Sequence, residues 1–506
     1  MVAQNEMLAK NGAASHLEPR LKHLSFNFTN RCNLRCTYCP QGTHPDEFHA
    51  DTPDDQIEKI LAYVKLHRIE IVSIGYYGET TLINGWEHYC RRLLDDGVKL
   101  HMVSNFSKVL TPSELDVIAR FSKIEISIDT VNLDTLKRVR KSVDGRTILY
   151  NTQIIQAYVK KHKLPIPKLI WSGVLTDDVV SEVPDLVYMA VVSGIKSIHF
   201  NEVVYFSNAK NSSKNVYDMP PDTFLDAVEA IEEAKRVAGI NNVQFVSAGE
   251  LRIERRILAE YGKDTYERVL RKLYSLESIP PHNRVFIYGA GEAGRALREH
   301  LAQQSNLNFV SFIDSFRDGE VDGSRIQAFD NYRNEINQND TILICSQYED
   351  QIEANLVEAG VSKYYKAYSY FRAGFTRNIA TNAGHTTHQR SGIQGDFVIA
   401  GDSLDELPDG MTRLCTSPWT EVYFDPKGEV YACCHRGTLM GTLSPTHSID
   451  NILNGPDYRD LRRQLLTGQG VNEECARCPG RTIDSPDRMK QLIEDLLNLP
   501  SGTEIA

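Results

Sequence analysis

Three cysteines crowd into eight residues near the start of the chain, Cys32, Cys36 and Cys39 in the run RCNLRCTYCP. A tetrahedral zinc site closes with four ligands, and a cuboidal iron–sulfur cluster takes one thiolate for each iron it saturates. An odd trio therefore leaves one iron of a cubane open to a further ligand. The run follows an alternating stretch, Leu24-Ser25-Phe26-Asn27-Phe28, so the loop hangs from the end of a strand. Half of a structural zinc site, with cysteine pairs roughly two to four residues apart, is the alternative.

At 506 residues and 57.2 kDa the chain exceeds one ordinary core, and two or three domains are expected. Its 24% charged and 41% hydrophobic residues are a globular balance. A formal charge of −11 supplies no basic surface for sequence-independent contact with phosphate backbones, so general nucleic-acid binding is not expected. No run is long and apolar enough for a membrane span. Residues 1–20 lack the apolar core of a signal peptide and read as a flexible extension. Eight of the ten cysteines fall in two clusters rather than spreading as a disulfide scaffold, which implies a reducing, cytoplasmic setting.

Short apolar runs alternate with amphipathic helical stretches over the first part of the chain, the rhythm of a parallel sheet with crossover helices. Candidate strands are His23–Phe28, Ile69–Ile74, Lys99–Val103, Lys123–Ile128, Lys168–Gly173 and Ser197–Phe200. Six such units suit an α/β fold of the partial (βα)6 barrel kind, whose ligand groups gather at the carboxyl ends of the strands.

The spacing C-x3-C-x2-C, with Tyr38 before the last cysteine, resembles the cluster loop of the radical S-adenosylmethionine (radical SAM, AdoMet) enzymes. That resemblance implies a 4Fe-4S cluster on Cys32, Cys36 and Cys39, with AdoMet completing the open iron. After the second strand, Gly75-Tyr76-Tyr77-Gly78-Glu79-Thr80 resembles the family's glycine-glycine-glutamate-proline segment, with Tyr77 and Thr80 in place of its first glycine and its proline. Gly78 and Glu79 would then meet the AdoMet ammonium group, whose hydrogens need acceptors. By the same resemblance Tyr38 of the cluster loop and Asn105 at the barrel mouth contact AdoMet, Ser127 and Asp129 approach its ribose, and Arg140 takes its carboxylate through a bidentate fork. Arg138 is the alternative in register.

A second set of cysteines stands near the other end: Cys415 in CTSPW, a hairpin-like VYFDPKGEVYACC ending in Cys433 and Cys434, and Cys475-Ala-Arg-Cys478. It resembles the auxiliary-cluster extension called SPASM or, when shortened, twitch. Cys415, Cys433, Cys475 and Cys478 would close a second 4Fe-4S cluster, with Cys434 as an alternative to Cys433. A zinc ribbon is the competing reading. Cys90 and Cys345 sit in apolar patterns and read as buried small hydrophobes.

Between these parts, a strand-like RVFIY leads into Gly289-Ala-Gly291-Glu-Ala-Gly294, then a helix, then FVSFID ending at Asp314. The order is that of a dinucleotide-binding fingerprint, with Asp314 placed for a ribose hydroxyl. The region resembles Rossmann-like modules of surface-polysaccharide and sugar-modifying proteins. NAD, a nucleotide sugar or an empty scaffold remain open as its content.

The boundaries expected from these patterns are 1–20 extension, 21–248 radical SAM barrel, 249–282 helical linker, 283–372 Rossmann-like module, 373–409 linker, 410–485 SPASM/twitch domain and 486–506 terminal helix and tail. The resemblance implies reductive cleavage of AdoMet to a 5′-deoxyadenosyl radical, fed by a flavodoxin- or ferredoxin-type electron donor. The radical would take a hydrogen atom from a polar small molecule, a sugar or nucleotide-linked sugar by analogy with the inserted module. Oxidation would return an electron to the auxiliary cluster, whereas epimerisation would need a hydrogen donor such as Cys434 or Tyr205. A peptide-modifying maturase and a non-catalytic zinc scaffold are the alternatives.

Overall fold

The computed structural model describes residues 21–44, 48–203, 213–302, 307–368, 409–433, 438–444, 446–476 and 483–498, together with 386–388, 397–399, 407 and 478. Strands β1 (His23–Phe26), β2 (Ile71–Ile74), β3 (Lys99–Ser104), β4 (Lys123–Ser127), β5 (Lys168–Val174), β6 (Ser197–Asn201) and β7 (Gln244–Ser247) lie side by side in sequence order, each parallel to the next. Six follow the expected runs; β7, short and half exposed, has no apolar run to announce it.

Because the strands add in one direction, right-handed crossovers place every connecting helix on the same face. That face is apolar: Leu24, Phe26, Val72, Ile74, Leu100, Met102, Ile124 and Ile126 are at most 1% exposed and pack with helix residues such as Ile60, Val64 and Leu93. Side chains alternate along a strand, so Ser25, Ser73, His101, Glu125, Ser172 and His199 point to the opposite, inner face. The inside of this barrel-like sheet is therefore polar, unlike the packed apolar interior of a closed eight-stranded barrel.

The inserted region forms a second sheet from β8 (Arg284–Tyr288), β9 (Asn308–Asp314), β10 (Gly319–Val321), β11 (Ser324–Ala328), β12 (Asp340–Ile344) and β13 (Tyr364–Lys366), in the order β10-β11-β9-β8-β12-β13. All neighbours are parallel except β10 and β11. The order reverses at β8, which sends helices to both faces. Val285, Ile287 and Leu343 accordingly join one core, and Phe286, Tyr288, Ile342 and Ile344 another.

This sheet is locked to the barrel. In the barrel helix Pro221–Ile240, a Cβ on Gly239 would lie 2.4 Å from the carbonyl oxygen of Asp350, in the helix Glu349–Glu358. Gln351 donates to Asn242 at 2.8 Å, and the buried Lys366 ammonium reaches Glu232, Asp350 and Glu353 at 3.2, 3.2 and 2.7 Å. Gly239 and Asn242 lie just before β7, at the amino end of the barrel strands, while Asp350 follows the carboxyl end of β12. The carboxyl edge of the inserted sheet thus abuts the lower rim of the barrel.

After β14 (Thr386–His388) and β15 (Phe397–Ile399), which pair antiparallel, comes β16 (Thr412–Arg413). Strands β17 (Glu421–Phe424), β18 (Glu429–Tyr431) and β19 (Leu439–Thr442) then extend the barrel sheet itself, and β20 (Ile483–Asp484) pairs with β16. β17 runs parallel to β1, with His23 opposite Glu421 and Phe26 opposite Phe424. Across this junction the buried Asn27 amide donates to the Tyr423 hydroxyl at 2.6 Å. The carboxyl-terminal hairpin is part of the barrel's sheet, a long-range pairing that no local pattern in the sequence encodes.

Candidate functional site

The cysteine loop leaves β1 at the carboxyl end of the barrel. Its neighbours come from the corresponding ends of β2, β3 and β4, as ordered crossovers require. Asn105, after β3, donates from Nδ2 to Asn33 at 3.0 Å and faces the Cys32 sulfur at 3.6 Å; the Leu34 amide approaches the same sulfur at 3.4 Å. Burial pushes the Cys32 thiol up, and pushes Cys39 up to about 11, with Cys32 adding to the effect. Burial also raises Cys36, which feels both other cysteines. The three thiols therefore converge, and a cluster would reverse their preference, since iron binds the thiolate.

Gln41, 3% exposed and two residues beyond Cys39, has a buried Nε2 with no hydrogen-bond partner. Its Oε1 accepts from the Cys39 thiol at 2.6 Å; a buried N–H without an acceptor is costly, and an amide turned end for end would offer that N–H to the sulfur of an iron-bound Cys39 thiolate. The trio and Gln41 fit a three-thiolate cubane. Gln41 carries no sequence signal beyond its nearness to the last cysteine. A cavity of about 190 Å³ beside this loop is lined by Arg31, Cys32, Arg35, Gln41, Phe48, His49 and Leu82.

Gly78 has φ +94°, and a Cβ there would lie 2.3 Å from the Thr29 carbonyl oxygen, so only glycine brings the β2 loop against the start of the cysteine loop. The next residue continues the contact, its amide donating to Arg31 O at 2.8 Å. The Glu79 carboxylate is 1% exposed. Oε1 accepts from Thr81 N, Thr81 Oγ1 and Ser104 Oγ at 3.1, 2.7 and 2.9 Å, and Oε2 from Asn105 N at 2.8 Å. Glu79 thus ties the ends of β2 and β3 together, and Oε2 keeps a lone pair for one further donor.

Asp129 and Arg140, read from the sequence as separate contacts to ribose and carboxylate, bind each other. Arg140 donates Nε to Oδ2 at 2.6 Å and Nη2 to Oδ1 at 3.0 Å. Tyr38 Oη adds 2.9 Å to Oδ2, and Val174 N adds 2.9 Å to Oδ1. Neither charged group faces a ligand freely in this state; together they form a buried brace behind the cysteine loop. Desolvation drives such groups to pair when no solvent reaches them, and the sequence does not reveal burial of an arginine in a helix of charged residues. Arg138 is exposed and points to Asp178 at 3.5 Å. Ser127 ends β4 half-buried on the inner face.

The second cysteine set gathers at the opposite end of the strands. Cys415 precedes β17, and Cys433 follows β18, which runs back antiparallel, so both lie at the amino end of the barrel. Cys475 and Cys478 come from the short helix Glu473–Ala476 and the turn after it. Burial, then the neighbouring charges of Cys415 and Cys478, push Cys475 up to about 12. Among the described residues no three Cys, His, Asp or Glu side chains are drawn close enough for one metal ion. The donor set is four thiolates, the number that closes a cubane completely. Cys434 and Tyr205 lie outside the described residues. Cys90 and Cys345 are buried, at 0% and 3% exposure.

In the inserted sheet, a Cβ on Gly289 or Gly294 would lie 2.5 Å from Cys345 O or 1.8 Å from Gly289 O, while Gly291 faces open space. The outer two glycines let strand, loop and helix pack closely, and the middle one leaves backbone approachable. Asp314, at the end of β9, accepts from Phe316 N at 3.0 Å.

A curved parallel sheet with a three-cysteine loop after its first strand and a four-cysteine extension at its far end defines a class, the cluster-bearing α/β barrels. Residues 26–167 match the family model described as the Radical SAM superfamily, and residues 415–479 that described as an iron–sulfur cluster-binding domain, SPASM. The chain carries a radical SAM domain and a SPASM domain. Among curated proteins it is similar to the GTP 3′,8-cyclases of two Clostridium perfringens strains, at 26% identity over 227 residues, 43% of this chain and 64% of theirs. It thus spans under two thirds of the length of these relatives. Among solved structures, Streptococcus suis SuiB bound to S-adenosylmethionine aligns at 12% identity and TM-score 0.44, over 91% of this chain and 72% of that one. The AdoMet-bound anSMEcpe aligns at 10% and 0.40, over 94% and 96%. Among the described residues no helix is long and apolar enough to cross a membrane.

Proposed function

We propose that this chain is a radical SAM enzyme acting on a polar small molecule, a sugar or nucleotide-linked sugar, held inside the barrel between two 4Fe-4S clusters. The observation that carries the reading is the polar inner face of the sheet, bounded by one cysteine set at its carboxyl end and the other at its amino end. When bound, the first cluster and AdoMet supply a carbon-centred radical able to remove hydrogen from a C–H bond of no useful acidity.

The residues of the chain bind and orient. Cys32, Cys36 and Cys39 hold the cluster, and Asn105 and Gln41 offer it N–H donors. Glu79, through its remaining Oε2 lone pair, accepts from the AdoMet ammonium group, and Ser127 stands on the inner face beside the ribose position. On that same face Lys123 and Lys168 are directly opposite in register on β4 and β5. Like charges so placed destabilise a sheet, and Glu125 pairs with Lys123 alone, at 2.5 Å. Lys168 is exposed at the first residue of β5, so water screens its charge. The curated relatives are named for a nucleotide, GTP, which supports a nucleotide-linked compound over a neutral sugar. The inserted module, with the approachable backbone at Gly291, holds the nucleotide portion of such a compound or a separate nucleotide. A flavodoxin- or ferredoxin-type protein supplies the electron.

The test is product analysis on anaerobically reconstituted protein with deuterated nucleotide sugars and free sugars. Deuterium carried into 5′-deoxyadenosine, abolished by replacing Cys32, Cys36 and Cys39 with Ala, supports the reading. Formation of 5′-deoxyadenosine in that triple variant would refute the cluster assignment. Label transfer only from a peptide would establish the maturase alternative, and zinc without sulfide the scaffold.

A further inference from the structure

The SPASM region holds a charge that the protein leaves unanswered. Arg462, in the helix Pro456–Thr467, is 4% exposed. Its guanidinium donates Nε and Nη2 to Pro418 O at 3.0 and 2.8 Å and Nη1 to Leu453 O at 3.1 Å, and it stacks 5.1 Å from the Tyr458 ring centre. All its acceptors are neutral, and no carboxylate pairs with it among the described residues. Burial lowers its pKa, but only to about 10, so at neutral pH the group keeps its proton. A buried cation without a counter-charge costs several kcal/mol, against which the fold sets only neutral partners, two carbonyl oxygens and the Tyr458 ring.

The surroundings show where an anion belongs. Pro418 lies three residues beyond Cys415, and the Tyr458 phenol feels both Arg462 and Cys433. One residue on from Pro418, the fully buried Trp419 has an indole Nε1 with no hydrogen-bond partner. A charge without a counter-ion and a donor without an acceptor therefore flank the same cysteine segment. A cubane with four thiolates is doubly negative when oxidised and triply negative when reduced by one electron.

We infer that Arg462 is the counter-charge of the auxiliary cluster, a positioning residue that sets the cluster's potential by favouring its reduced, more negative state. A cation fixed in a dry site stabilises the added electron more than it stabilises the oxidised form, and so raises the potential. The cluster is thereby made a better acceptor of the electron that the substrate radical, left by hydrogen-atom abstraction, releases as it loses a proton to solvent and becomes the two-electron-oxidised product. The inference rests on Cys415, Cys433, Cys475 and Cys478 holding an iron–sulfur cluster.

The experiment uses the full chain with Cys32, Cys36 and Cys39 replaced by Ala, so that the auxiliary cluster alone contributes. Its midpoint potential is read by electron paramagnetic resonance during a redox titration, alongside iron and sulfide content, for Arg462 and for Arg462→Lys, Arg462→Gln and Arg462→Met. The expected result is a more negative potential in the Gln and Met variants and a value near the parent in the Lys variant. Gln retains donors for Pro418 O without the charge, so a purely structural role would leave it near the parent. Equal potentials in all four, or a Lys variant shifted as far as Met, overturn the inference. A parent with no iron and sulfide overturns the underlying cluster assignment instead, and the inference with it. Should the Gln and Met variants not retain cluster, parent against Lys decides: a Lys potential far from the parent overturns the inference, and one near it supports a charge requirement.

Discussion

Arg140 and Asp129 hold each other through two charge-assisted hydrogen bonds, at 2.6 and 3.0 Å, in a place where neither is more than 5% exposed. The backbone of the same helix end carries the cysteine loop: Arg140 O accepts from Arg35 N at 3.2 Å, and Val139 O from Thr37 N at 2.9 Å. The buried ion pair thus braces the loop from behind. Asp129→Asn leaves the guanidinium charged and unpaired, and is expected to destabilise the protein by about 3–5 kcal/mol. Urea denaturation measures this, and a loss below about 1 kcal/mol would show that the pair is solvated rather than buried.

The bond from Asn27 to Tyr423 joins the barrel to its carboxyl-terminal extension. Tyr423→Phe removes the acceptor and leaves a buried amide N–H unpaired, at an expected cost of about 1–3 kcal/mol. Because β1 and β17 belong to one sheet, barrel and extension should unfold in a single transition that moves as a whole in the variant. Fluorescence at two wavelengths and circular dichroism would report coincident midpoints; separate transitions would mean that the pairing contributes little.

Gly78→Ala puts a side chain where φ is +94° and a carbonyl oxygen stands 2.3 Å away. The left-handed backbone costs roughly 1–2 kcal/mol, and forced displacement of the cysteine loop roughly 1–3 kcal/mol more. The expected outcome is loss of iron from the first cluster with the auxiliary cluster retained, so that iron content falls by about half. Full iron content would show that the loop absorbs the methyl group.

Much of this was legible because it is periodic or spaced. The six apolar runs became β1 to β6, the cysteine spacings marked both ends, and the glycine pattern marked the turn from β8 into its helix. What escaped depends on distance in sequence. Strand β17 finds β1 across almost four hundred residues, and β7, four residues long and mostly unburied, is too short to be read as a strand. The pairing of Asp129 with Arg140 escaped because a sequence shows charge but not burial. Arg462 looked like one of several charges on a helix; only its dry, carboxylate-free surroundings set it apart. Gln41 was hidden by the same lack of burial information.

The inner face of the barrel also fixes how stability depends on pH. Burial first, then the charges of Lys123, His23 and Lys99, against an opposing pull from Glu125, hold His101 down at about 4. Burial likewise lowers His23, which donates to or accepts from Ser73 at 2.6 Å, and His199, beside Ser197 at 3.0 Å. An unfolded histidine titrates near 6.5. Between about pH 6.5 and 4 the unfolded chain binds protons that the folded chain refuses, so stability falls as pH falls through that window and is unaffected by these groups above it. The expected observation is a urea midpoint that declines from pH 6.5 to 4 in the parent and declines less in His101→Gln. Parallel declines in the two proteins would place the pH dependence elsewhere, among the carboxylates.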